Sequence, residues 1–371
     1  MKTDSPFKIL ALALFLVGIG FLVGFGFQSR ASQQANNGNG NGGAKATPTP
    51  APAPVVRTMQ AAPDATKLAI TATFANSANA GIWILNLQTR QTTYSASPAG
   101  WQDYVVSWKD NATLLLERER IPRPAAEATG GMYEAPVSEG ETREDQWSFV
   151  TPKLPRGDRL ISGFYGTDGD LHLKTRSEPK AIYRVEGDAA RKLDDSAFAY
   201  GQNRVVNGSL FVVRDLSPRD SRQALFRVQG GAARQISPPL EDVAWSYVAP
   251  SGKSFLTARE EVENWVWTLY EIGENGLKKV REAPIPLDVI SVFWSPDEKR
   301  ILGAAGERLW NIEMPLLRAT PLGSRTDWSA DDVAWIGNSA VAVASQGEIW
   351  RVDVPSGKTD SLWKFPREFW K

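Results

Sequence analysis

The sequence has no cysteine and a single histidine, His172, and its 42 basic residues are balanced by 42 acidic ones. Without cysteine no disulfide can form, so side-chain packing alone must stabilise the fold. No thiol is available for a lipid anchor either. A single histidine and the lack of a G-x-S-x-G sequence argue against a Ser-His-Asp hydrolase. The zero net charge argues against a nucleic-acid partner, which would need a basic surface.

Charge is also absent from residues 9–27, a continuous apolar run. As a helix rising about 1.5 Å per residue, this run spans the roughly 30 Å hydrocarbon core of a bilayer. Lys2 and Lys8 on its short N-terminal side predict that residues 1–8 stay in the cytoplasm. The sequence therefore predicts a single-pass signal-anchor helix. The alternative is a cleaved signal peptide, because Ser29-Arg30-Ala31 fits a small-x-small cleavage site, and the protein would then be secreted.

Residues 28–54 are rich in Asn, Gly, Ala and Pro. Such a composition buries too little apolar surface to fold. The Asn/Gly part is flexible, and the alternating prolines after it favour an extended polyproline conformation. We predict a disordered linker that holds the next domain, residues 55–371, away from the membrane.

Seven short segments of this domain repeat one pattern, an aromatic residue flanked by aliphatic and polar residues in a predicted strand. They are Ile82-Trp83-Ile84-Leu85, Gln146-Trp147-Ser148-Phe149, Ile182-Tyr183-Arg184-Val185, Leu225-Phe226-Arg227-Val228, Leu269-Tyr270-Glu271-Ile272, Leu309-Trp310-Asn311-Ile312 and Ile349-Trp350-Arg351-Val352. Successive aromatics are 36 to 44 residues apart, except for 64 residues between the first two. A period of about 40–45 residues with four strands per unit is typical of β-propeller blades.

A turn-forming segment precedes the predicted second strand of each unit. These segments are Pro63-Asp64, Lys109-Asp110-Asn111, Thr167-Asp168-Gly169, Gly201-Gln202-Asn203, Pro250-Ser251-Gly252, Pro296-Asp297 and Gly337-Asn338-Ser339. Both patterns count seven units. The predicted fold is therefore all-β, a propeller of seven four-stranded antiparallel blades, with six blades as the alternative. Ring closure needs a strand from the other end of the chain, and we expect Val55–Ala61 to supply it.

One unit carries a recognisable turn signature. Its sequence Trp294-Ser295-Pro296-Asp297-Glu298-Lys299 resembles the W-S-P-D-G-K repeat of TolB-like and WD-repeat-like bacterial propellers. Those repeats also resemble the non-catalytic domain of dipeptidyl peptidase IV-type enzymes. Other units depart from the signature, since Ser246-Tyr247 follows Trp245 and Ile336-Gly337-Asn338 follows Trp335. The resemblance implies a propeller and, by analogy with TolB, a periplasmic protein–protein scaffold.

Acidic residues recur just before the predicted inner strands. They are Asp103, Asp195, Asp242, Asp288 and Asp332. Because inner strands line the channel of a propeller, we expect these carboxylates at one mouth of the channel. There they would attract a cationic partner or bind calcium, a hard cation that takes oxygen ligands. The interpretation that we favour is simpler: each aspartate forms a turn in the loop that enters its blade.

Two further segments differ from the repeat. Residues 121–145 cause the long second spacing and are rich in Pro, Gly and charged residues, so we predict a long insertion loop, disordered or used for docking. Residues 363–371 combine four aromatic and three basic residues. This C-terminal segment would lie on a membrane surface or a partner or, more simply, end the last outer strand and pack beside it.

These patterns predict a membrane-anchored, extracytoplasmic propeller that binds an envelope protein or peptide, without a cofactor. The anchor places it in the bacterial cytoplasmic membrane, with the propeller in the periplasm or outside the cell. We predict a structural role for His172, which lies in a strand-like segment. The alternative function is a calcium-dependent propeller hydrolase of the lactonase kind, whose site needs only Asp, Glu and Asn oxygens.

Overall fold

The computed structural model describes residues 52–74, 80–121, 131–138, 140–154, 160–175, 180–194, 203–217, 222–261, 265–285, 291–305, 307–323, 328 and 330–370. These residues form seven antiparallel sheets, and each sheet takes its strands in chain order. From the sixth sheet through the seventh and first to the third, the first strands of neighbouring sheets contact one another, so the first strands are the inner strands of a seven-bladed propeller. We call the end at which inner strands begin the upper end, and the opposite end the lower end.

The strands of each blade have the following bounds. Blade 1 contains β1 (Val55–Ala61), β2 (Lys67–Thr73), β3 (Gly81–Asn86) and β4 (Thr92–Ala96). Blade 2 contains β5 (Trp101–Trp108), β6 (Thr113–Arg120), β7 (Gly131–Ser138), β8 (Glu141–Thr142), a 3₁₀ turn (Glu144–Gln146) and β9 (Ser148–Phe149). Blade 3 contains β10 (Leu160–Tyr165), β11 (Leu171–Thr175), β12 (Ile182–Glu186) and β13 (Ala189–Asp194). Blade 4 contains β14 (Arg204–Val206), β15 (Ser209–Asp215), β16 (Gln223–Gln229) and β17 (Ala232–Gln235).

The remaining three blades follow the same order. Blade 5 contains β18 (Val243–Val248), β19 (Ser254–Glu260), β20 (Trp265–Ile272) and β21 (Leu277–Ile285). Blade 6 contains β22 (Ser291–Trp294), β23 (Arg300–Ala305), β24 (Arg308–Glu313) and β25 (Arg318–Pro321). Blade 7 contains β26 (Ala330–Ile336), β27 (Ala340–Ser345), β28 (Glu348–Asp353) and β29 (Thr359–Lys364), and a second 3₁₀ turn (Arg367–Trp370) follows it.

Clusters of buried apolar side chains hold the blades together, one in each of the seven seams between neighbours. The run Leu114, Leu115 and Leu116 in β6 shows how one strand serves two seams. Leu114 and Leu116 pack against blade 1, whereas Leu115 packs against blade 3. Side chains alternate between the faces of a strand, so a continuous apolar run buries both faces of a blade.

The ring closes through side-chain packing between blades 7 and 1. Val55–Ala61 is the inner strand of blade 1 and pairs with β2 of the same blade, so the predicted closure by this strand is wrong. Each sheet is already complete from consecutive strands. Val56 and Ile70 of blade 1 instead share one buried cluster with Ala342 and Ile349 of blade 7.

The C-terminal residues extend this last cluster. Phe365 is buried, and its ring meets Trp83 of blade 1 edge to face at a centroid distance of 5.8 Å. The ring of Phe369 contacts Trp83 at 4.8 Å and Tyr94 at 5.1 Å. We call residues 365–370 the C-terminal clasp. The simpler prediction for this segment, that it ends the last outer strand and packs beside it, is confirmed.

Blade 2 departs from the sequence-based prediction. Instead of a single loop over residues 121–145, the structure has a third strand at Gly131–Ser138, which pairs with β6. The segment predicted as the third strand is only the short β9 at its edge. The loop prediction is therefore wrong for this strand, because it buries side chains on both faces: Ala135 and Val137 toward blade 1 and Met132 toward blade 3.

Blade 4 also turns at a different place from the one predicted. The hairpin between β14 and β15 lies at Asn207-Gly208, with φ of 48° and 71°. Both residues occupy the left-handed region, which Asn-Gly pairs adopt in two-residue hairpins. Of the predicted turn, Asn203 precedes β14 and residues 201–202 lie outside the described ranges.

Within the described ranges, no helix has the length and apolar character needed to cross a membrane. The predicted anchor at residues 9–27 and most of the predicted linker at residues 28–54 lie outside these ranges.

Candidate functional site

Among the predicted site residues, Asp103 lies inside the fold rather than in the channel. It is the third residue of β5, is 1% exposed, and faces Arg118 of β6 in direct register. Arg118 donates from Nε to Asp103 Oδ1 at 2.7 Å and from Nη2 to Oδ2 at 3.2 Å. Such a two-bonded pair satisfies both oxygens of the carboxylate. The Asp103 carboxylate is thus already occupied.

Arg118 also holds the extra segment of blade 2 in place. Its Nη1 donates to Glu144 Oε1 at 2.5 Å, and its guanidinium lies 4.9 Å from the ring centre of Trp147 and 5.2 Å from that of Tyr133. Burial by itself lowers the pKa of Arg118, but the hydrogen bonds and charges of Asp103 and Glu144 outweigh burial and raise it. The result is a charged, rigid link between two strands and the 3₁₀ turn.

Asp242 and Asp332 lie at the upper end of the propeller, like Asp103. Asp242 is exposed, directly precedes β18 and has a φ of 53°. Asp332 is half-buried in β26, and its Oδ1 accepts a hydrogen bond from Val333 N at 2.9 Å. Asp195 and Asp288 lie outside the described ranges, and in those ranges no three His, Asp or Glu side chains are grouped to hold a metal. The ring of five carboxylates therefore stays a prediction.

Two tryptophans meet at the upper end of blade 5. Trp245 of β18 and Trp265 of β20 have ring centres 4.5 Å apart, although β19 lies between their strands. The residue of β19 opposite Trp245 is Ala258, whose small side chain leaves room for the indoles to meet. The fully buried Trp267 packs edge to face against Trp245, with the two ring centres 6.3 Å apart. Both rings of the pair remain partly exposed.

Exposed carboxylates lie at the same end of the blade as this pair. Glu260 lies opposite Trp265 in register, and Glu261 follows Glu260 at the end of β19. Glu241 and Asp242 precede the inner strand at the same end of the blade. We call these six residues the blade 5 patch: Glu241, Asp242, Trp245, Glu260, Glu261 and Trp265.

The charge of the blade 5 patch is negative. Arg259 offsets part of it through an ion pair with Glu261 at 2.9 Å. Grouped carboxylates attract cations over several ångströms, and the face of an indole attracts ammonium and guanidinium groups. The patch is therefore suited to bind a cationic group. Of its members the sequence predicted Asp242 alone, because Trp245 was assigned to a repeated unit, and Trp265 and the glutamates lie outside the repeated pattern.

A second feature is a cavity of about 160 Å³ between blades 3 and 4, lined in part by His172, Asp168 and Arg184. His172 is buried, and its Nδ1 lies 3.0 Å from the carbonyl oxygen of Asp170. A carbonyl only accepts, so Nδ1 carries the proton and Nε2 is unprotonated. Burial lowers the pKa of His172, although the charge of Asp168 acts in the opposite direction. The ring is neutral at pH 7 and stacks on Phe164.

A third feature is a polar cavity of about 260 Å³ between blades 6 and 7. Its lining includes Arg300, Glu313, Thr320 and the buried Asn311. The turn glycines Gly323 and Gly357 approach so closely at its rim that a Cβ on either would lie within 2.7 Å of the other's backbone. Donors and acceptors are mixed along its walls, so a small polar molecule or water fits it equally well.

The described residues thus define a seven-bladed β-propeller. No protein-family model matches the sequence, and no curated protein sequence matches it significantly. Solved structures do resemble it. An uncharacterized protein from Listeria monocytogenes superposes with a TM-score of 0.56 at 11% identity, covering 84% of this chain and 95% of that protein.

Two further structures belong to proteins of other kinds. A complex of KlAtg21 with the coiled-coil of AgAtg16 matches with a TM-score of 0.55 at 11% identity, covering 83% of this chain and 99% of that one. A puromycin-hydrolyzing peptidase from Mycobacterium tuberculosis matches with a TM-score of 0.54 at 13% identity, covering 83% of this chain but 53% of the peptidase. At such identities the likeness concerns the fold alone.

Proposed function

We propose that this chain is a membrane-anchored, extracytoplasmic propeller of the TolB-like kind that binds a lysine- or arginine-rich segment of an envelope protein. The observation that carries this proposal is the blade 5 patch, in which Trp245 and Trp265 meet at 4.5 Å beside exposed carboxylates. The predicted anchor, residues 9–27, would hold the propeller beside its partner at the membrane.

The patch combines the two features that recognise a cationic side chain. An indole face stabilises an ammonium or guanidinium group by about 0.5–1 kcal/mol when exposed and about 2 kcal/mol when water is excluded. The carboxylates speed the encounter and orient the segment. Because both tryptophans stand on paired strands, binding needs little reorganisation of the propeller, which favours affinity.

The calcium-dependent alternative has no comparable support among the described residues. Asp103, the most buried of its predicted ligands, already binds Arg118 through both oxygens. Calcium requires about six to eight converging oxygens. We therefore propose no catalytic reaction and no metal.

The proposal is tested with the full-length protein in detergent and a fluorescent lysine-rich peptide as the probe. Replacing Trp265, Glu260 and Glu261 together by Ala, Gln and Gln is expected to weaken binding at least about tenfold, because the indole face and two charges are lost. Fluorescence anisotropy measures the dissociation constant. A glutamate-rich peptide should not bind the parent protein.

The matched control neutralises two exposed carboxylates at the lower end of the same blade, through E271Q and E274Q. This variant should bind the lysine-rich peptide as the parent does. Equal weakening in both variants would show a general charge effect, and an unchanged affinity in the patch variant would show that the partner binds elsewhere. Either result contradicts the proposal.

A further inference from the structure

A row of four side chains crosses blade 4 from the channel to the rim. Arg204 of β14 lies opposite Phe211 of β15, Phe211 lies opposite Arg227 of β16, and Arg227 lies opposite Arg234 of β17. Residues directly opposite each other on antiparallel strands share one face of the sheet. Phe211 belongs to the apolar cluster between blades 4 and 5. The three arginines therefore lie on the face that blade 4 turns toward blade 5.

Two of these arginines have no counter-ion. In the described part of the chain, Arg204 and Arg227 form no ion pair, and the Nε of each is buried without a hydrogen-bond acceptor. Arg118 and Arg214, in comparison, each bind a buried aspartate, Asp103 and Asp194 respectively. A buried N–H without an acceptor destabilises a fold, and more so when the group is charged. Arg204 and Arg227, both half-buried, thus lack the carboxylate partner that Arg118 and Arg214 possess among the described residues.

The surroundings of Arg204 supply little negative charge. Burial lowers the pKa of Arg204, and the charge of Glu298 acts in the opposite direction. The carboxylate of Glu298 accepts hydrogen bonds from the backbone N and the hydroxyl of Ser251, so it is already occupied. A guanidinium nevertheless stays protonated at all ordinary pH values. The positive charge therefore persists, and among the described residues Arg204 has no carboxylate in ion-pair contact.

The aromatic ring of the row holds one guanidinium in place. The Cζ atom of Arg227 lies 5.2 Å from the centre of the Phe211 ring. On the other side, the ring faces the turn of blade 5, where a Cβ added at Gly252 would lie 3.2 Å from Phe211 Cε2. Stacking restricts the guanidinium without using its N–H donors, which leaves them available to a ligand.

We propose that the seam between blades 4 and 5 binds an oxyanion, a carboxylate or phosphate group, through Arg204 and Arg227, with Arg234 at the outer end. Arginine binds such planar or tetrahedral oxyanions through pairs of N–H donors. This site shares no residue with the blade 5 patch, so a negative result for one proposal does not contradict the other.

Thermal unfolding of the full-length protein in detergent tests the site, with inorganic phosphate and citrate as separate probes at constant ionic strength. A ligand that binds the folded state alone raises Tm as its concentration increases. Either probe should raise Tm in a saturable way relative to chloride. A response to phosphate alone would identify a phosphoryl ligand, and a response to citrate alone a carboxylate ligand. Isothermal titration then measures the affinity.

The variant Arg204→Met/Arg227→Met should lose at least about tenfold in affinity for the effective probe. Its own Tm should be close to that of the parent, because both arginines are half-buried and the buried Nε of each, which has no acceptor among the described residues, has been removed. The matched control Arg281→Met/Arg318→Met removes two exposed arginines and should bind as the parent does. The proposal is overturned if neither probe acts differently from chloride, or if the two double variants respond alike.

Discussion

Buried charges in this propeller fall into two groups with opposite energetic consequences. Asp103 with Arg118, and Asp194 with Arg214, are pairs in which each charge is satisfied by the other. Pairs of this kind contribute little beyond what apolar side chains of the same size would give, but they make the loss of a single partner severe. Arg204 and Arg227 form the second group: both are half-buried, and neither has a carboxylate partner or an acceptor for its buried Nε among the described residues.

Replacement of Arg118 by Met is expected to lower the free energy of unfolding by about 3–5 kcal/mol. The reason is that Asp103, at 1% exposure, would be left as a buried charge without a partner. Urea unfolding followed by tryptophan fluorescence measures the change. The variant Asp103→Asn/Arg118→Met should be less affected than Arg118→Met alone, because the uncompensated charge is gone. If the single variant were as stable as the parent, Asp103 would have to be neutral or solvated.

His172 makes the stability of the seam between blades 3 and 4 depend on pH. Its pKa is lower in the folded protein than the ordinary 6.5, so between these two values the unfolded chain binds more protons than the folded one. Stability contributed by this residue is therefore complete above about pH 6.5 and is lost as pH falls below it. The slope approaches at most about 1.4 kcal/mol per pH unit for one proton.

The comparison of the parent with His172→Phe from pH 8 to pH 5 isolates this effect, since every other titrating group is common to both. The difference in unfolding free energy should be flat at high pH and should shift in favour of the variant below about pH 6.5. Phenylalanine keeps the ring that stacks on Phe164. A difference that did not change with pH would mean that His172 is protonated equally in both states.

At the level of strands, the sequence predicts those parts of the fold that depend on local periodicity. Runs such as Leu114, Leu115 and Leu116 are apolar on both faces, as strands buried between two blades must be. The strand Gly131–Ser138 is missed because Glu134 and Pro136 interrupt its apolar positions. The Asn207-Gly208 pair is a strong local signal for a hairpin. The turn predicted for this blade, Gly201-Gln202-Asn203, lies too early in the chain.

The candidate sites are harder to predict because they depend on partners distant in sequence. Asp103, Asp242 and Asp332 lie at the same end of the propeller, and the pattern of aspartates before inner strands indicates that much. It gives no information on the partner of Asp103, which is decided by the register of β5 with β6. The Arg204–Phe211–Arg227 row likewise arises from the pairing of three strands and has no signature in the linear sequence.

The first and last blades of this propeller contain the two ends of the domain, and the ring stays closed only if these two blades remain in contact. A strand exchanged between the two blades would join them by backbone hydrogen bonds, but here each sheet is built from consecutive strands. The seam between blades 7 and 1 therefore relies on packing. The C-terminal clasp adds further packing to this seam, because Phe365 and Phe369 contact Trp83. No other seam in the described ranges has such an additional segment.

Phe365→Ala tests whether the clasp keeps the ring closed. Phe365 is 2% exposed, so its loss should lower the free energy of unfolding by about 3–5 kcal/mol. If the clasp closes the ring, the loss should be concentrated in one seam: amide hydrogen exchange should accelerate in blades 1 and 7 before it does in blade 4. The matched control is Phe149→Ala, whose ring is 58% exposed and whose loss should have a much smaller effect. Uniform acceleration in all blades would instead mean that the ring opens as one cooperative unit and that Phe365 is an ordinary core residue.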